Sequence, residues 1–217
     1  MPNLGLGTSL SSSGLITPGI VTDSLVLKHN YAAGGVTPVS DGAAFFDGAD
    51  DYIAVGSSLG DLGSSATFCA WINRTEIGGG ADYFFDSRAG SGAGFAQGYD
   101  GTTAVNVSEG TVYVDGNVSS VLPVGEWHHV AVTGMTINAH TSMLIGKYNA
   151  SASQHILKGY MCNVGFWNAN LTQPQIKSIM WKNYAGLNST ETTNLVSWWN
   201  LSANANDDHG SNNGTLT

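Results

Sequence analysis

The chain has 217 residues, of which 42% are hydrophobic and only 11% are charged, so it can fill the core of one large domain. Its 7 lysines and arginines face 16 aspartates and glutamates, which gives a formal net charge of −9. This balance argues against nucleic acids and anionic membranes as partners, because both would repel the chain. No apolar run reaches the ~18 residues of a membrane span.

Residues 1–40 are predicted to form an extended N-terminal arm. The first 24 residues are rich in Gly, Ser and Thr and contain Pro2 and Pro18, which disfavours a helix. A short first strand is predicted at 24–28. The arm is too apolar for a free linker, and its apolar side chains are Leu4, Leu6, Leu10, Leu15, Ile16 and Ile20. We expect these side chains to dock on the same domain, on a sister subunit or on a larger assembly.

The stretch 43–55, A-A-F-F-D-G-A-D-D-Y-I-A-V, predicts two strands joined by a tight corner. Asp47-Gly48 is a turn signal, and the chain resumes after the corner with the strand-forming residues Y-I-A-V. The corner carries three carboxylates, Asp47, Asp50 and Asp51. Clustered negative charges need water, a cation or hydrogen-bond donors. A solvated turn and a cation site both fit this pattern.

From residue 66 onward, short strands follow one another at the spacing of an all-β sandwich. They are predicted at 66–74, 82–88, 94–99, 102–107, 111–115, 117–121, 127–135, 142–147 and 159–167. Asp115-Gly116 is a hairpin signal between two of them. Cys69 lies within a strand pattern, where a small buried hydrophobe is expected. A disulfide between Cys69 and Cys162 stays open, because the two form no C-x-x-C pair or wider framework.

One helix interrupts the strands. Its start is predicted at Thr172, because T-Q-P-Q is a capping-box sequence with proline in the first turn. Ile176, Ile179 and Met180 recur at the spacing i, i+3 and i+4, which predicts one buried face. Gly186 is expected to close this helix.

The end of the chain is predicted to hold three further elements. Residues 189–194 are expected to add a helical turn, and 195–201 to form a last strand. A polar tail then follows at 207–216.

Several motifs stand in a fixed order from residue 41 to the end of the chain. They are F-D-G-A-D-D-Y-I (46–53), T-F-C-A-W-I (67–72), W-H-H-V-A-V (127–132), L-I-G (144–146) and G-Y-M-C-N-V-G-F-W-N-A-N-L-T (159–172). This order resembles the concanavalin A-like, laminin G-like domains. The resemblance implies an all-β jelly-roll β-sandwich over 41–217, with one short C-terminal helix, behind the N-terminal arm.

Two features refine this resemblance. The segments Q-I-K-S-I-M, N-Y-A-G-L and L-V-S-W-W-N-L are similar to jelly-roll proteins of tailed bacteriophages, notably marine ones. The unit L-V-S-W-W followed by D-D-H-G-S-N-N-G-T-L precedes the F-D-G motif in many relatives, but it comes last here. The order therefore looks circularly permuted, which a sandwich tolerates if its ends are neighbours.

The resemblance also implies a calcium site, because many relatives bind Ca²⁺ near the F-D-G-x-D-D corner. Asp50 or Asp51 would join Asp208 and the carbonyl groups around 209–212, with Asn212 among the ligands. Calcium takes about six to eight oxygen ligands, and both stretches offer carboxylates, amides and carbonyls. The regular spacing of an EF-hand is absent, and no other cofactor is expected.

Two adjacent pairs of side chains are predicted to be structural. His128 and His129 point to opposite faces of a strand, so they cannot easily share one metal ion. His129 occupies the W-x-H-V position of the family and is expected to be a satisfied structural histidine. Trp198 and Trp199 also face opposite ways, and core packing is predicted for both.

No catalytic residue is predicted. The four glutamates are Glu76, Glu109, Glu126 and Glu191, and none has a second carboxylate at i+2 or i+4. The paired carboxylates of a jelly-roll glycoside hydrolase are therefore missing. The sequence also lacks G-x-S-x-G, P-loop and H-E-x-x-H motifs. We expect a protein that is not an enzyme.

The leading functional hypothesis is a virion structural protein of a tailed phage. The composition suits an exposed setting, yet no signal peptide is visible, so assembly in the host cytoplasm would bring the protein to the virion surface. It would serve as a capsid decoration, head-fibre or tail-associated protein. Its partners would be other virion proteins, sister subunits of a homo-oligomer and surface glycans.

The alternative is a lectin-like, Ca²⁺-assisted module for carbohydrate binding and adhesion that belongs to no virion. Loop aromatics would stack on the sugar. The candidates are Tyr52, Tyr99, Tyr148 and Trp167, and their exposure decides between them.

Overall fold

The computed structural model describes residues 40, 42–56, 59–77, 80–88, 93–138, 142–149 and 155–217. All of these belong to the unit Val39–Thr217, one of two units into which the chain divides. The predicted arm with its apolar side chains, and the strand predicted at 24–28, lie outside the described residues.

Thirteen strands and one α-helix make up the described elements. The strands are β1 Ala44–Asp47, β2 Ile53–Ala54, β3 Gly63–Arg74, β4 Asp82–Asp86, β5 Phe95–Gly98, β6 Val105–Val107, β7 Thr111–Val114, β8 Asn117–Val118, β9 His128–Ile137, β10 Leu144–Ile145, β11 Lys158–Trp167, β12 Leu195–Trp199 and β13 Thr215–Leu216. The helix is α1, Gln173–Ile179, and a 3₁₀ turn follows at Tyr184–Gly186.

The strands form two antiparallel sheets of a β-sandwich. The seven-stranded sheet has the order β1-β11-β3-β9-β7-β8, and β12 also pairs with β11. The six-stranded sheet has the order β13-β2-β10-β4-β5-β6. The corner after Asp47 therefore carries the chain from one sheet to the other, because β1 and β2 belong to different sheets. This architecture confirms the predicted all-β jelly-roll sandwich.

Every strand predicted between 66 and 167 is present, but several are shorter than predicted. The segment 117–121 is the clearest case, since β8 ends at Val118. Beyond Val118 the chain leaves the seven-stranded sheet, and Val121 forms a bridge with Ala104 beside β6. The hairpin signal is confirmed, because Asp115 and Gly116 both have positive φ between β7 and β8.

The core between the sheets is aromatic and fully buried at its centre. The ring of Phe68 on β3 lies 4.7 Å from Phe85 and 5.3 Å from Phe166, centroid to centroid. Trp199 packs in this core, whereas Trp198 packs in a second cluster beneath α1. The two tryptophans are 1% exposed or less, so the prediction that both are core residues on opposite faces is confirmed.

The helix begins as predicted and ends earlier. Thr172 and Gln175 form the capping box, and Ile176 and Ile179 are buried. The prediction that Gly186 closes the helix is wrong, because α1 ends at Ile179 with Met180 as its C-cap, and Asn183 adopts an extended conformation. The Asn183 side chain then accepts the N–H of Gly186 and caps the separate 3₁₀ turn.

Residues 189–194 form hydrogen-bonded turns rather than the predicted helical turn. The N–H groups of Glu191 and Thr192 both donate to the carbonyl of Asn188. None of the helices in the described part of the chain could span a membrane.

The two ends of the domain lie close together, because Ala44 and Phe45 line one pocket with Leu216 and Thr217. Gly42 packs against the backbone of Ser202, and Thr217 exchanges two backbone hydrogen bonds with Tyr52. The predicted polar tail thus ends in a strand, β13, which pairs with β2. This closeness of the ends is what a circularly permuted sandwich requires. Cys69 and Cys162 are both buried and free, so they form no disulfide.

Candidate functional site

The outer side of the seven-stranded sheet carries a row of aromatic side chains across its strands. Phe45 of β1 pairs with Tyr160 of β11, and Tyr160 pairs with Asn73 of β3. Trp127 directly precedes β9. Because Ile72 pairs with His128, the same register places Trp127 opposite Asn73. Side chains alternate between the two faces of a sheet, so these residues share the face away from the core. We call Phe45, Tyr160 and Trp127 the aromatic row.

The rings of the aromatic row contact one another and are open to solvent. The centroids of Phe45 and Tyr160 lie 4.9 Å apart, and those of Tyr160 and Trp127 lie 6.2 Å apart. Phe45 is 54% exposed, Trp127 41% and Tyr160 36%. Contiguous exposed aromatic surface of this kind marks an interaction site more often than single exposed apolar residues do.

A cleft of about 480 Å³ opens beside the row. Its lining consists of Ser40, Gly42, Ala43, Trp71, Trp127, Cys162 and Trp181. Trp181 follows α1 and is 61% exposed, and its ring lies 5.4 Å from that of Trp71. The Nε1–H of Trp71 donates to the carbonyl of Met180 at 2.6 Å, which fixes the indole. We call this feature the aromatic cleft.

His129 lies beside Trp71 beneath the outer face, with ring centroids 5.7 Å apart. It is 2% exposed, and burial lowers its pKa from 6.5 to about 4 despite the opposing charge of Asp115. Asp115 accepts the His129 N–H at 3.0 Å and contacts Nδ1 of His128 at 2.8 Å. The structural role predicted for His129 fits this setting. The prediction that His129 is satisfied holds only in part, because its Nδ1 has no hydrogen-bond partner among the residues that the structure describes.

Polar groups flank the aromatic row one step further along the strands. Asp47 pairs with Lys158, and the Nζ of Lys158 lies 2.9 Å from Oε1 of Glu76. The Thr75 hydroxyl donates to the Lys158 carbonyl at 3.1 Å. We call Asp47, Lys158, Thr75 and Glu76 the polar strip. A polar pocket of about 260 Å³ adjoins it, lined in part by Asp82 and His155.

The three predicted carboxylates of the corner cluster together. Ligand oxygens of Asp47, Asp50 and Asp51 all lie within 4.8 Å of one another. Asp47 accepts the N–H of Ala49 at 2.7 Å and of Asp50 at 3.3 Å, and Asp51 accepts the N–H of Asp47 at 3.0 Å. The hydrogen bond from Ala49, with smaller contributions from its neighbours, lowers the pKa of Asp47. The donor chemistry suits calcium, whose remaining ligands would be carbonyl groups and water.

The structure places Asp208 and Asn212 away from this corner. Asp208 accepts the N–H of Asn200 at 3.3 Å, and the Asn212 side chain donates to Ser197 at 2.7 Å. The backbone N–H of Asp208 donates to the carbonyl of Trp198, and Trp198 pairs with residue 165 of β11, whereas Asp47 pairs with residue 158. Seven positions along a strand span ~23 Å. The two halves of the predicted ligand set are therefore not brought together.

Asp207, which the sequence analysis did not single out, organises the loop 207–212. Its Oδ1 accepts the N–H groups of Trp198, His209 and Gly210 at 3.0, 3.1 and 2.9 Å. Its Oδ2 accepts the N–H of Asn212 at 3.0 Å. The signal in the sequence is the run D-D-H-G-S-N-N-G, in which an aspartate precedes several turn residues.

The four stacking candidates named from the sequence do not line the aromatic row. Trp167 is fully buried, and Tyr148 packs against Tyr83 with ring centroids 5.0 Å apart. Tyr52 lies under the ammonium of Lys147, which is 4.2 Å from the ring centroid. Tyr99 is 50% exposed. The residues of the row were missed because their proximity depends on strand register.

Comparison with known proteins agrees with this fold. Residues 47–141, less than half of the chain, match the concanavalin A-like lectin/glucanases superfamily. No curated protein matches the chain.

Two solved structures share the architecture at low sequence identity. One is a protein from Bacteroides ovatus ATCC 8483 for which carbohydrate binding has been suggested, with a TM-score of 0.58, 20% identity and 81% of this chain covered. This chain spans only 57% of that protein's length. The other is a heptameric SAP-like pentraxin from Limulus polyphemus, with a TM-score of 0.53 and 13% identity, over 83% of this chain and 96% of that one. The domain thus has a concanavalin A-like, laminin G-like jelly-roll fold.

Proposed function

We propose that this domain is a non-catalytic carbohydrate-binding module whose ligand lies on the aromatic row and in the aromatic cleft. The observation that carries the proposal is the gathering of Phe45, Tyr160, Trp127 and Trp181 on one face, each with more than a third of its surface exposed. A pyranose ring has an apolar C–H face that packs on such rings. The polar strip beside the row offers a carboxylate, an ammonium and a hydroxyl to the sugar hydroxyl groups.

The chemistry of the cleft agrees with this proposal. Binding sites for small molecules combine apolar and aromatic walls with a few polar groups that fix orientation. Here three tryptophans supply the walls, and the Ser40 hydroxyl is the side-chain oxygen of the lining. The carbohydrate binding suggested for the Bacteroides ovatus protein supports the same function by fold alone.

A glycan array tests the proposal directly. The full chain is applied with and without Ca²⁺, beside the double variant Trp127→Ala/Trp181→Ala. We expect the wild type to bind a defined set of glycans and the double variant to lose them. Tyr99→Ala is the matched control, because it removes an equally exposed aromatic ring outside the row and cleft. Wild-type binding that survives the double substitution, or an array without hits, would contradict the proposal.

We propose that calcium binds as an auxiliary ion at the corner between β1 and β2, which we call the acidic corner. Asp47, Asp50 and Asp51 would hold the ion, because their oxygens already cluster. A bound cation would neutralise these carboxylates, one of which, Asp47, belongs to the polar strip. The ion would also offer ligand positions to the hydroxyl groups of a sugar, because calcium takes about six to eight oxygen ligands.

A virion structural role is our second candidate, favoured by the apolar residues of the arm. In this role the arm would hold the protein in a homo-oligomer or on other virion proteins, and the jelly roll would face outward from the virion surface. Deletion of residues 1–24 should then remove the protein from purified particles while the melting temperature of the domain stays unchanged. Normal incorporation of the truncated chain would reject this role.

A further inference from the structure

We infer that the site takes an internal segment of a neutral polysaccharide, several pyranose units long, rather than a terminal or an acidic sugar. This inference rests on the proposed function and specifies its ligand.

The length of the aromatic row is the first argument. The row runs from β1 across β11 and β3 to the residue before β9, and so crosses three spacings between neighbouring strands. The ring centroids along the row follow one another at 4.9 and 6.2 Å, so the three rings span at most about 11 Å. A single sugar ring covers one aromatic ring, so a platform of this length suits two or three consecutive units.

The position of the row within the sheet is the second argument. β1 is the outermost strand of the path β1-β11-β3-β9, and Phe45 on this strand is 54% exposed. The row therefore reaches the edge of the sheet, where a chain can continue past the protein. A pocket for a terminal sugar would instead enclose the end of the ligand.

The charges around the row favour a neutral chain. None of the described residues that line the aromatic cleft is charged. The ammonium of Lys158 in the polar strip is paired with Glu76 and lies beside Asp47. The net charge of −9 adds a general repulsion of polyanions. An acidic polysaccharide would meet no unpaired cation among these residues.

Asn73 adds a hydrogen-bonding group in the middle of the row. It pairs with Tyr160, and its Oδ1 has no hydrogen-bond partner in the described part of the chain. A buried acceptor without a donor costs free energy. A hydroxyl group of a sugar that lies between Tyr160 and Trp127 is a suitable donor after a small side-chain movement.

Calorimetric titration with oligosaccharides of increasing length tests the inference. The neutral probes are the gluco-, manno- and xylo-oligosaccharides together with their monosaccharides, and the acidic probes are oligogalacturonates of equal length. For at least one neutral series we expect affinity to rise roughly tenfold from one unit to about three units, then to level off. The acidic series should bind more weakly at every length.

Single substitutions show which residues of the aromatic row provide the extra affinity for longer oligosaccharides. Phe45→Ala at the edge should remove the extra affinity of the longer oligosaccharides and leave that of the shortest ones unchanged. Trp127→Ala should weaken all lengths, and Tyr99→Ala none. Equal affinity for a monosaccharide and its longer oligosaccharides, or preference for the acidic series, would overturn the inference while leaving carbohydrate binding intact.

Two other outcomes would reject the proposed function together with its refinement. One is the absence of binding to every neutral and acidic probe. The other is a dimer in light scattering that becomes a monomer in Trp127→Ala/Trp181→Ala, since a second copy would then occupy the row.

Discussion

Trp71 on the sheet and Trp181 after the helix pack with tilted rings whose centroids lie 5.4 Å apart, and the Trp71 Nε1–H donates to the carbonyl of Met180, the residue before Trp181. This pair of contacts ties the end of α1 to the outer face of the seven-stranded sheet. It also builds one wall of the aromatic cleft, so the same indole supports both the fold and the candidate site.

Trp71→Phe should lower the free energy of unfolding by about 1–3 kcal/mol, because it removes the hydrogen bond to Met180 and part of the packing. Trp181→Phe should change it by less than about 0.5 kcal/mol, because this side chain is mostly exposed. Urea denaturation measures both. Equal effects of the two substitutions would show that the hydrogen bond does not anchor the helix.

Substitution of the neighbouring residues Asp207 and Asp208 by alanine should lower the free energy of unfolding by very different amounts. Asp207→Ala should cost about 2–4 kcal/mol, because four backbone N–H groups lose their acceptor. Asp208→Ala should cost less than about 1 kcal/mol, because its carboxylate is exposed. Thermal unfolding of both variants provides the comparison. A larger loss for Asp208→Ala would contradict the role given to Asp207.

The same loop predicts sensitivity to acid. Burial raises the pKa of Asp207, but the hydrogen bonds from the N–H groups of Gly210, Trp198 and Asn212 together lower it by more. The pKa in the folded chain therefore lies below 3.8. The stabilisation is therefore present above pH 3.8 and is lost as the pH falls through the lower folded pKa. Asp207→Asn should flatten the stability curve in this acid range.

His129 predicts a second loss of stability at mildly acidic pH. Its pKa is about 4 in the folded chain against 6.5 when exposed. Above pH 6.5 both states are neutral, and between 6.5 and 4 only the unfolded state takes up the proton, so stability falls in that window. The free energy of unfolding falls by about 3 kcal/mol in total across this window.

The matched variants for this effect are His129→Gln and His209→Gln. His129→Gln should remove the dependence of the free energy of unfolding on pH between 6.5 and 4. His209→Gln should leave this dependence unchanged, because His209 is exposed. Urea denaturation at closely spaced pH values gives the two curves. An unchanged slope in His129→Gln would mean that another group causes the acid sensitivity.

Calcium binding at the acidic corner predicts a difference between carboxylates that the sequence grouped together. Millimolar Ca²⁺ should raise the melting temperature above its value in EDTA, because the ion binds the folded state only. Asp50→Asn/Asp51→Asn should abolish this shift, and Asp208→Asn should preserve it. Identical melting temperatures of the wild type in EDTA and in Ca²⁺ would exclude a structural calcium site.

The class of the fold followed from local signals along the chain. Short runs of strand-forming residues between glycine-rich turns located the strands between 66 and 167, and Thr172 and Gln175 located the start of the helix, because these signals are local. The opposite faces of Trp198 and Trp199 also followed from alternation along a single strand. The prediction that Gly186 ends the helix was wrong, because Asn183 caps a separate 3₁₀ turn that is recognised only from the backbone conformation.

Which distant residues meet depends instead on how the strands pair in the folded domain. Phe45, Tyr160 and Trp127 form one row because antiparallel register places β1, β11, β3 and the start of β9 side by side, and no local pattern encodes that register. The same register separates Asp208 from Asp50 and Asp51 along the edge of β11. Local chemistry thus follows from neighbouring residues in the chain, whereas a binding surface on a sheet depends on pairing between strands far apart in sequence.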